Sequence, residues 1–144
     1  MNIKLLTKTE LKDAIDFIWK VFLEFEAVNY SADNKEAFYD AINNEDYLDM
    51  LTSYGAFIDG NLVGIIASRN EGSHVALFFV DGKYQKQGIG RTLFEKLISE
   101  SSCKCIIVHS SIYAKDIYMK LGFIQSGDIK EEYGIKYIPM EYKR

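Results

Sequence analysis

The sequence of 144 residues has one proline, two cysteines and two histidines. The cysteines, Cys103 and Cys105, stand one residue apart in an apolar run, so a strand would turn both side chains to one face. A metal centre needs about four ligands, and His109 is the sole histidine nearby; no metal is predicted, and both thiols are expected free and at least half-buried. The lone proline, Pro139, falls in an apolar stretch near the end and predicts a sheet edge or a bulge, since proline has no N–H for a ladder. No run of five or six like charges occurs, and Asp plus Glu outnumber Lys plus Arg by 21 to 17. Nucleic acid is thereby disfavoured as a partner, because phosphate contacts need clustered basic surface. The acidity favours a cationic small-molecule or peptide partner over an anionic one. No apolar stretch reaches the roughly 18 to 20 residues that span a bilayer, so no membrane partner is expected. Met1 to Lys8 lead straight into periodic sequence without the parts of a signal peptide, which predicts a cytoplasmic protein. No linker, repeat or low-complexity segment divides the chain, so residues 1–144 are expected to form one domain.

What is present is periodicity of two kinds. After a short strand over residues 3–8, Thr7 and Glu10 offer a capping box, and Leu11, Ile15, Ile18, Trp19 and Phe22 recur at helical spacing. A second, more polar helix is predicted over 34–44, with 45–51 continuing it. From Tyr54 the period becomes two. Runs at 54–58 and 62–68 flank the turn Asp59-Gly60-Asn61, a hairpin signal, and 74–81 adds a third antiparallel strand. A glycine-containing turn, a helix with Ile89, Leu93, Leu97 and Ile98 on one side, and a strand over 104–109 follow; strand, helix, strand with a short loop implies a parallel pair. A helix over 112–121, closed by Gly122, precedes two last strands over 123–129 and 135–142, joined through Tyr133 and Gly134.

The chemistry concentrates in Phe79 to Leu93, reading F-V-D-G-K-Y-Q-K-Q-G-I-G-R-T-L. Glycine permits positive φ and close backbone approach, and the free amides at a helix N-terminus bind phosphate oxygens. An anion site is the functional reading; an ordinary glycine-rich helix cap is the plain one. The Walker pattern, which needs Gly-Lys-Ser/Thr, and the dinucleotide pattern, which needs a third glycine, both fail here.

Gln85-Lys86-Gln87-Gly88-Ile89-Gly90 after a strand, with Tyr84 before it, resembles the Q/R-x-x-G-x-G/A signature of the GCN5-related N-acetyltransferases. A second block, Ser110 to Phe123, with Tyr118-Met119-Lys120-Leu121-Gly122-Phe123 at its end, is similar to that family's strand, helix and Y-x-K-L-G-F segment. The resemblance implies a single acyl-CoA N-acyltransferase domain. Its α/β fold would have a mixed sheet of about seven strands, splayed between strands 4 and 5, and about four helices. It implies acetyl-CoA as co-substrate, bound by the amides of Gln85, Lys86, Gln87, Gly88, Ile89 and Gly90 with Arg91 and Thr92, by the backbone of Phe78, Phe79 and Val80, and by Ser111 and Tyr118. Val80 N–H would stabilise the oxyanion, and Tyr118 would be the general acid. Two positions depart from the pattern: Gly82 stands where many members have proline, and Ser111 where many have asparagine.

An alkylamine with a pKa of about 10 must lose a proton before it attacks, and the departing thiolate benefits from an acid. Glu24, Glu26, Glu71, His74 and Asp81 are candidate bases, of which Glu26 is carried forward. Phe22, Phe25, Tyr30, Phe38 and Tyr39 offer aromatic surface for an acceptor. Direct transfer to a primary amine is the expected reaction, with no metal, and a late edge strand leaves a homodimer open. The alternative is a non-catalytic acyl-CoA-binding sensor or interaction module, which would need neither Tyr118 nor a base.

Overall fold

The computed structural model describes residues 1–132 and 134–144. Eight strands form the sheet, in the order β1 (Asn2–Leu5), β2 (Thr52–Ile58), β3 (Asn61–Arg69), β4 (His74–Val80), β5 (Cys105–Ser110), β8 (Ile135–Lys143) and β6 (Ile124–Gln125), with β7 (Lys130–Glu132) also pairing with β8. The extra strand relative to the sequence expectation arises because the predicted run over 123–129 is cut short at Gln125 and a separate strand starts at Lys130. Tyr133, expected to help join the last strands, lies outside the described residues.

Helices cover both faces. On one face, α5 (Ile89–Glu100) and α6 (Lys115–Leu121) bury Leu93, Leu97 and Tyr118 against Ile66, Val75, Ile106, Val108 and Met140. On the other, α1 (Lys8–Asp13), α2 (Ile15–Phe25), α3 (Ala32–Ile42) and α4 (Glu45–Asp49) enclose Ile18, Phe22, Ile42, Leu48, Ile65, Leu77 and Phe79. The Thr7–Glu10 capping box opens α1 as expected. The single predicted helix is broken at Ala14, whose N–H is shared between the carbonyls of Glu10 and Leu11 and so tightens the turn. Residues 112–114, expected to be helical, form turns, and α6 begins only at Lys115.

The Asp59-Gly60 hairpin forms, with both residues at positive φ (52° and 81°) between the paired Ile58 and Asn61. Pro139 is not at an edge, since β8 has β5 on one side and β6 and β7 on the other. Its carbonyl accepts from the Ser126 N–H at 2.9 Å, one residue past the end of β6. Its nitrogen faces the same side, so the return bond of the 126–139 pair is the one this proline leaves out, just where β6 ends at Gln125.

The decisive feature lies mid-sheet. β4 and β5 run parallel but pair only at His74↔Ile107 and Val75↔Val108. Beyond Val75, β4 stays paired with β3 as far as Gly64↔Val80 while it parts from β5. The expected splay between strands 4 and 5 is present.

Candidate active site

The parting strands open a cleft of about 540 Å³, lined by residues from α2, β4, the loop before α5, and α6. The direction of the β4 backbone follows from one bond. Asp81 N–H donates to the Val63 carbonyl at 2.9 Å, so the main-chain groups of Val80, one residue earlier, point to the opposite edge and into the cleft. By the same alternation Phe78 faces the cleft, and the main chain of Phe79 turns to β3. The Gln85 side chain donates to the Val80 carbonyl at 3.2 Å, leaving the Val80 N–H as the free polar group there.

Beyond the strand, Asp81 caps the turn by accepting from Lys83 N–H at 2.9 Å. Lys86 and Gly88 both adopt left-handed backbone, φ 62° and 83°. Such a loop turns successive amides toward one point, a concavity suited to an anion. Gly88 serves as N-cap of α5 with no side-chain cap bond, so the first amides of the helix remain free. Thr92 Oγ1 donates back to the Gly88 carbonyl at 2.8 Å. At Gly90 a Cβ would meet the Phe78 ring at 3.4 Å, ordinary contact, which agrees with a signature that admits alanine there. Arg91 donates to the Lys120 carbonyl at 2.7 Å, tying α5 to the end of α6.

The opposite end of the cleft is acidic and aromatic. Glu26, just past α2, lines it together with Phe25, Tyr113 and Tyr118. Phe25 and Tyr113 stack at 5.7 Å with their planes 17° apart. Burial raises the Glu26 carboxyl above its ordinary pKa, partly opposed by the Ser111 hydroxyl that donates to its Oε1 at 2.8 Å. Tyr118 is 7% exposed, packed edge-on to Phe78 and Phe123. Burial first, and the Glu26 charge second, raise its hydroxyl pKa, so it holds its proton throughout the neutral range.

Of the residues singled out from sequence, the cleft is lined by Glu26, Phe78, Phe79, Val80, Gln85, Lys86, Gly88, Ile89, Gly90, Arg91 and Tyr118. Gln87, Thr92 and Ser111 are not among the lining residues. Of the other candidate bases, His74 is at the paired end of β4, Asp81 faces Lys20 at 3.7 Å, and Glu71 is in the turn before β4. Of the five aromatics considered for an acceptor, Phe25 lines the cleft, while Phe22 is fully buried and stacks on Phe38 at 4.2 Å. Tyr113, Ile117 and Lys120 line it too and were missed. All three are in the second motif block, where the spacing of Ile117 and Lys120 on one face of α6 was a usable signal.

The departure at Gly82 has a steric cause. A Cβ there would lie 2.7 Å from Glu24 Oε1 and 2.9 Å from Phe25 Cζ, so proline or alanine here requires the Glu24 carboxylate and the Phe25 ring to shift. The thiols make separate contacts, Cys103 with the Glu71 carbonyl at 3.5 Å and Cys105 with Glu141 at 3.8 Å, and no metal-binding cluster exists among the described residues. No helix among them is long and apolar enough to cross a membrane.

A sheet that parts between two parallel strands beside a helix N-terminus defines an N-acyltransferase fold. Residues 26–144 match the family model described as an acetyltransferase (GNAT) domain, and the chain belongs to that family. Its fold is similar to a GCN5-related N-acetyltransferase from Rhodopseudomonas palustris (TM-score 0.83, 16% identity, covering 99% of this chain and 95% of that one). It is also similar to a GNAT-family acetyltransferase from Staphylococcus aureus Mu50 (TM-score 0.71, 22% identity, 99% and 98% covered). A third likeness is to the paia N-acetyltransferase from Thermoplasma acidophilum, solved with coenzyme A (TM-score 0.67, 21% identity, 100% of both chains). No curated protein matches the sequence.

Proposed function

We propose that this acetyltransferase moves the acetyl group of acetyl-CoA directly to a primary amine, with Glu26 as base and Tyr118 as acid. The observation that carries the reading is the meeting of Glu26, the residue after α2, and Tyr118 from α6 in one cleft beside the unpaired edge of β4. The cofactor suits the cleft's two ends. Lys86, Arg91 and Lys120 with the α5 amides supply positive potential at one, while Phe78 and Val80 offer a strand edge for an extended amide-bearing arm. The paia enzyme's complex with coenzyme A supports the same choice.

Acetyl-CoA supplies an acyl thioester. Glu26, raised in pKa by burial, takes the proton from the amine nitrogen as it attacks the acyl carbon, and a raised carboxylate pKa makes it a better base. Val80 N–H donates to the acyl oxygen as charge develops there. Tyr118 gives its proton to the leaving sulfur as the carbon–sulfur bond breaks, yielding amide and free thiol. No acyl-enzyme is needed, because neither thiol of the chain lines the cleft.

The test is a screen of primary amines for thiol release from acetyl-CoA, preceded by calorimetry with acetyl-CoA alone. Binding together with amine-dependent release is expected. Failure to bind acetyl-CoA would overturn the reading, and binding with no release across small amines and peptide N-termini would make the chain an acyl-CoA sensor.

A further inference from the structure

We propose that Ser111 is a positioning residue, its hydroxyl clamping the Glu26 carboxylate that lines the cleft. The inference rests on the reading of Glu26 as base. It is carried by the way the serine is held. Ser111 Oγ accepts from Ala114 N–H at 3.2 Å, and the Ser111 carbonyl accepts from Ser110 Oγ at 2.7 Å and from Ala114 N–H at 3.2 Å. These bonds fix the residue before Glu26 is considered. A hydroxyl has one hydrogen to give, and with Ala114 N–H pointing at the oxygen, that hydrogen is free to go to Glu26 Oε1, 2.8 Å away.

The clamp joins segments 85 positions apart in sequence, and the Phe25–Tyr113 stack is a second link between the same two segments, one residue before Glu26 and two after Ser111. Without Ser111 the Glu26 side chain has no other hydrogen-bond partner among the described residues, and an unanchored glutamate would sample several rotamers. The groups that feel the Glu26 charge are Tyr30, between α2 and α3, and Tyr118 on α6. Both have raised pKa values, so neither titrates below neutrality and an acid limb there belongs to the carboxylate.

The experiment follows the Glu26 carboxyl carbon by NMR through a pH titration in wild type, Ser111→Ala and Ser111→Thr, alongside calorimetry with CoA and turnover of acetyl-CoA with the best amine of the screen. In Ser111→Ala the Glu26 midpoint should move up, because a donor to the charged form is gone. Turnover should fall about tenfold, because an unanchored carboxylate is less often aligned with the amine, with CoA affinity unchanged. Ser111→Thr, which keeps the hydroxyl, should restore both midpoint and turnover. An unmoved midpoint would overturn the clamp, and loss of CoA affinity with an unmoved midpoint would make Ser111 a cofactor contact instead. Glu26→Gln separates the two readings. If it is inactive while Ser111→Ala behaves as wild type, only the clamp fails; if it turns over normally, the base assignment fails and the clamp with it.

Discussion

His74 at the paired end of the β4–β5 wedge and Glu26 at its open end are both titratable groups whose charged form is penalised by burial. At the paired end, desolvation and the nearby charges of Arg69 and His109 lower the His74 pKa to about 4. At the open end, desolvation raises the Glu26 carboxyl. Both groups are pushed toward neutrality, yet His74 is 6% exposed on a strand paired on both sides, whereas Glu26 lines a cleft wide enough for a ligand. A perturbed proton affinity marks a candidate site only where there is room for a second molecule. The pH consequences also have opposite signs. Between about 4 and 6.5 the unfolded chain binds a proton that folded His74 does not, so stability falls as pH drops through that window. Folded Glu26 keeps its proton to higher pH than the unfolded chain does, so its contribution falls as pH rises past the ordinary value of 4.5.

The largest expected effect is at the open end. Glu26→Gln should lower turnover about a hundred to ten thousandfold, yet raise the melting temperature at neutral pH, because the buried charge is removed. His74→Gln should leave turnover within about twofold, so a large loss there would break the comparison. Tyr118→Phe keeps the ring packing and removes the donated proton; turnover should fall about ten to ten thousandfold with acetyl-CoA affinity preserved in calorimetry. Gly88→Val forces a β-branched residue into φ 83°, at a cost of about 1 to 2 kcal/mol. Acetyl-CoA should then bind about tenfold more weakly or worse, while circular dichroism stays native. The smallest effect sharpens the paired end. Lowering the pH from 7 to 4.5 should remove on the order of 2 kcal/mol through His74, with the solvent that still reaches the ring taken into account. His74→Leu should lose less stability than wild type across that interval in denaturant titrations.

The loop before α5 was legible in the sequence because its geometry is local. Gly88 and Gly90 are two residues apart, and the backbone they free belongs to the helix that follows. The same is true of the Asp59-Gly60 hairpin and the Thr7–Glu10 cap. The acid end was not legible to the same degree, since it forms only when residues 25 and 26 meet residues 111 and 113 through the gap between β4 and β5. Nothing around Glu26 distinguishes it locally from Glu24, two residues earlier, whose oxygen faces the Gly82 position. The sheet's last third was misread for a related reason. The residues over 123–129 carry apolar character at both ends, but only Ile124 and Gln125 of them pair with β8, whose next stretch of edge is taken by Lys130–Glu132, and the sequence of one strand does not say where its partner's partner stops.

Pro139 lies at that interruption, and its consequence is for colonies of molecules rather than for one. A stretch of strand flanked by two short neighbours is a place where a stranger's backbone can dock and spread as an ordered aggregate. Here the carbonyl is already taken by Ser126 and the nitrogen carries no hydrogen, so the gap has nothing to offer an intruder. An alanine at 139 would give this stretch a donor it now lacks.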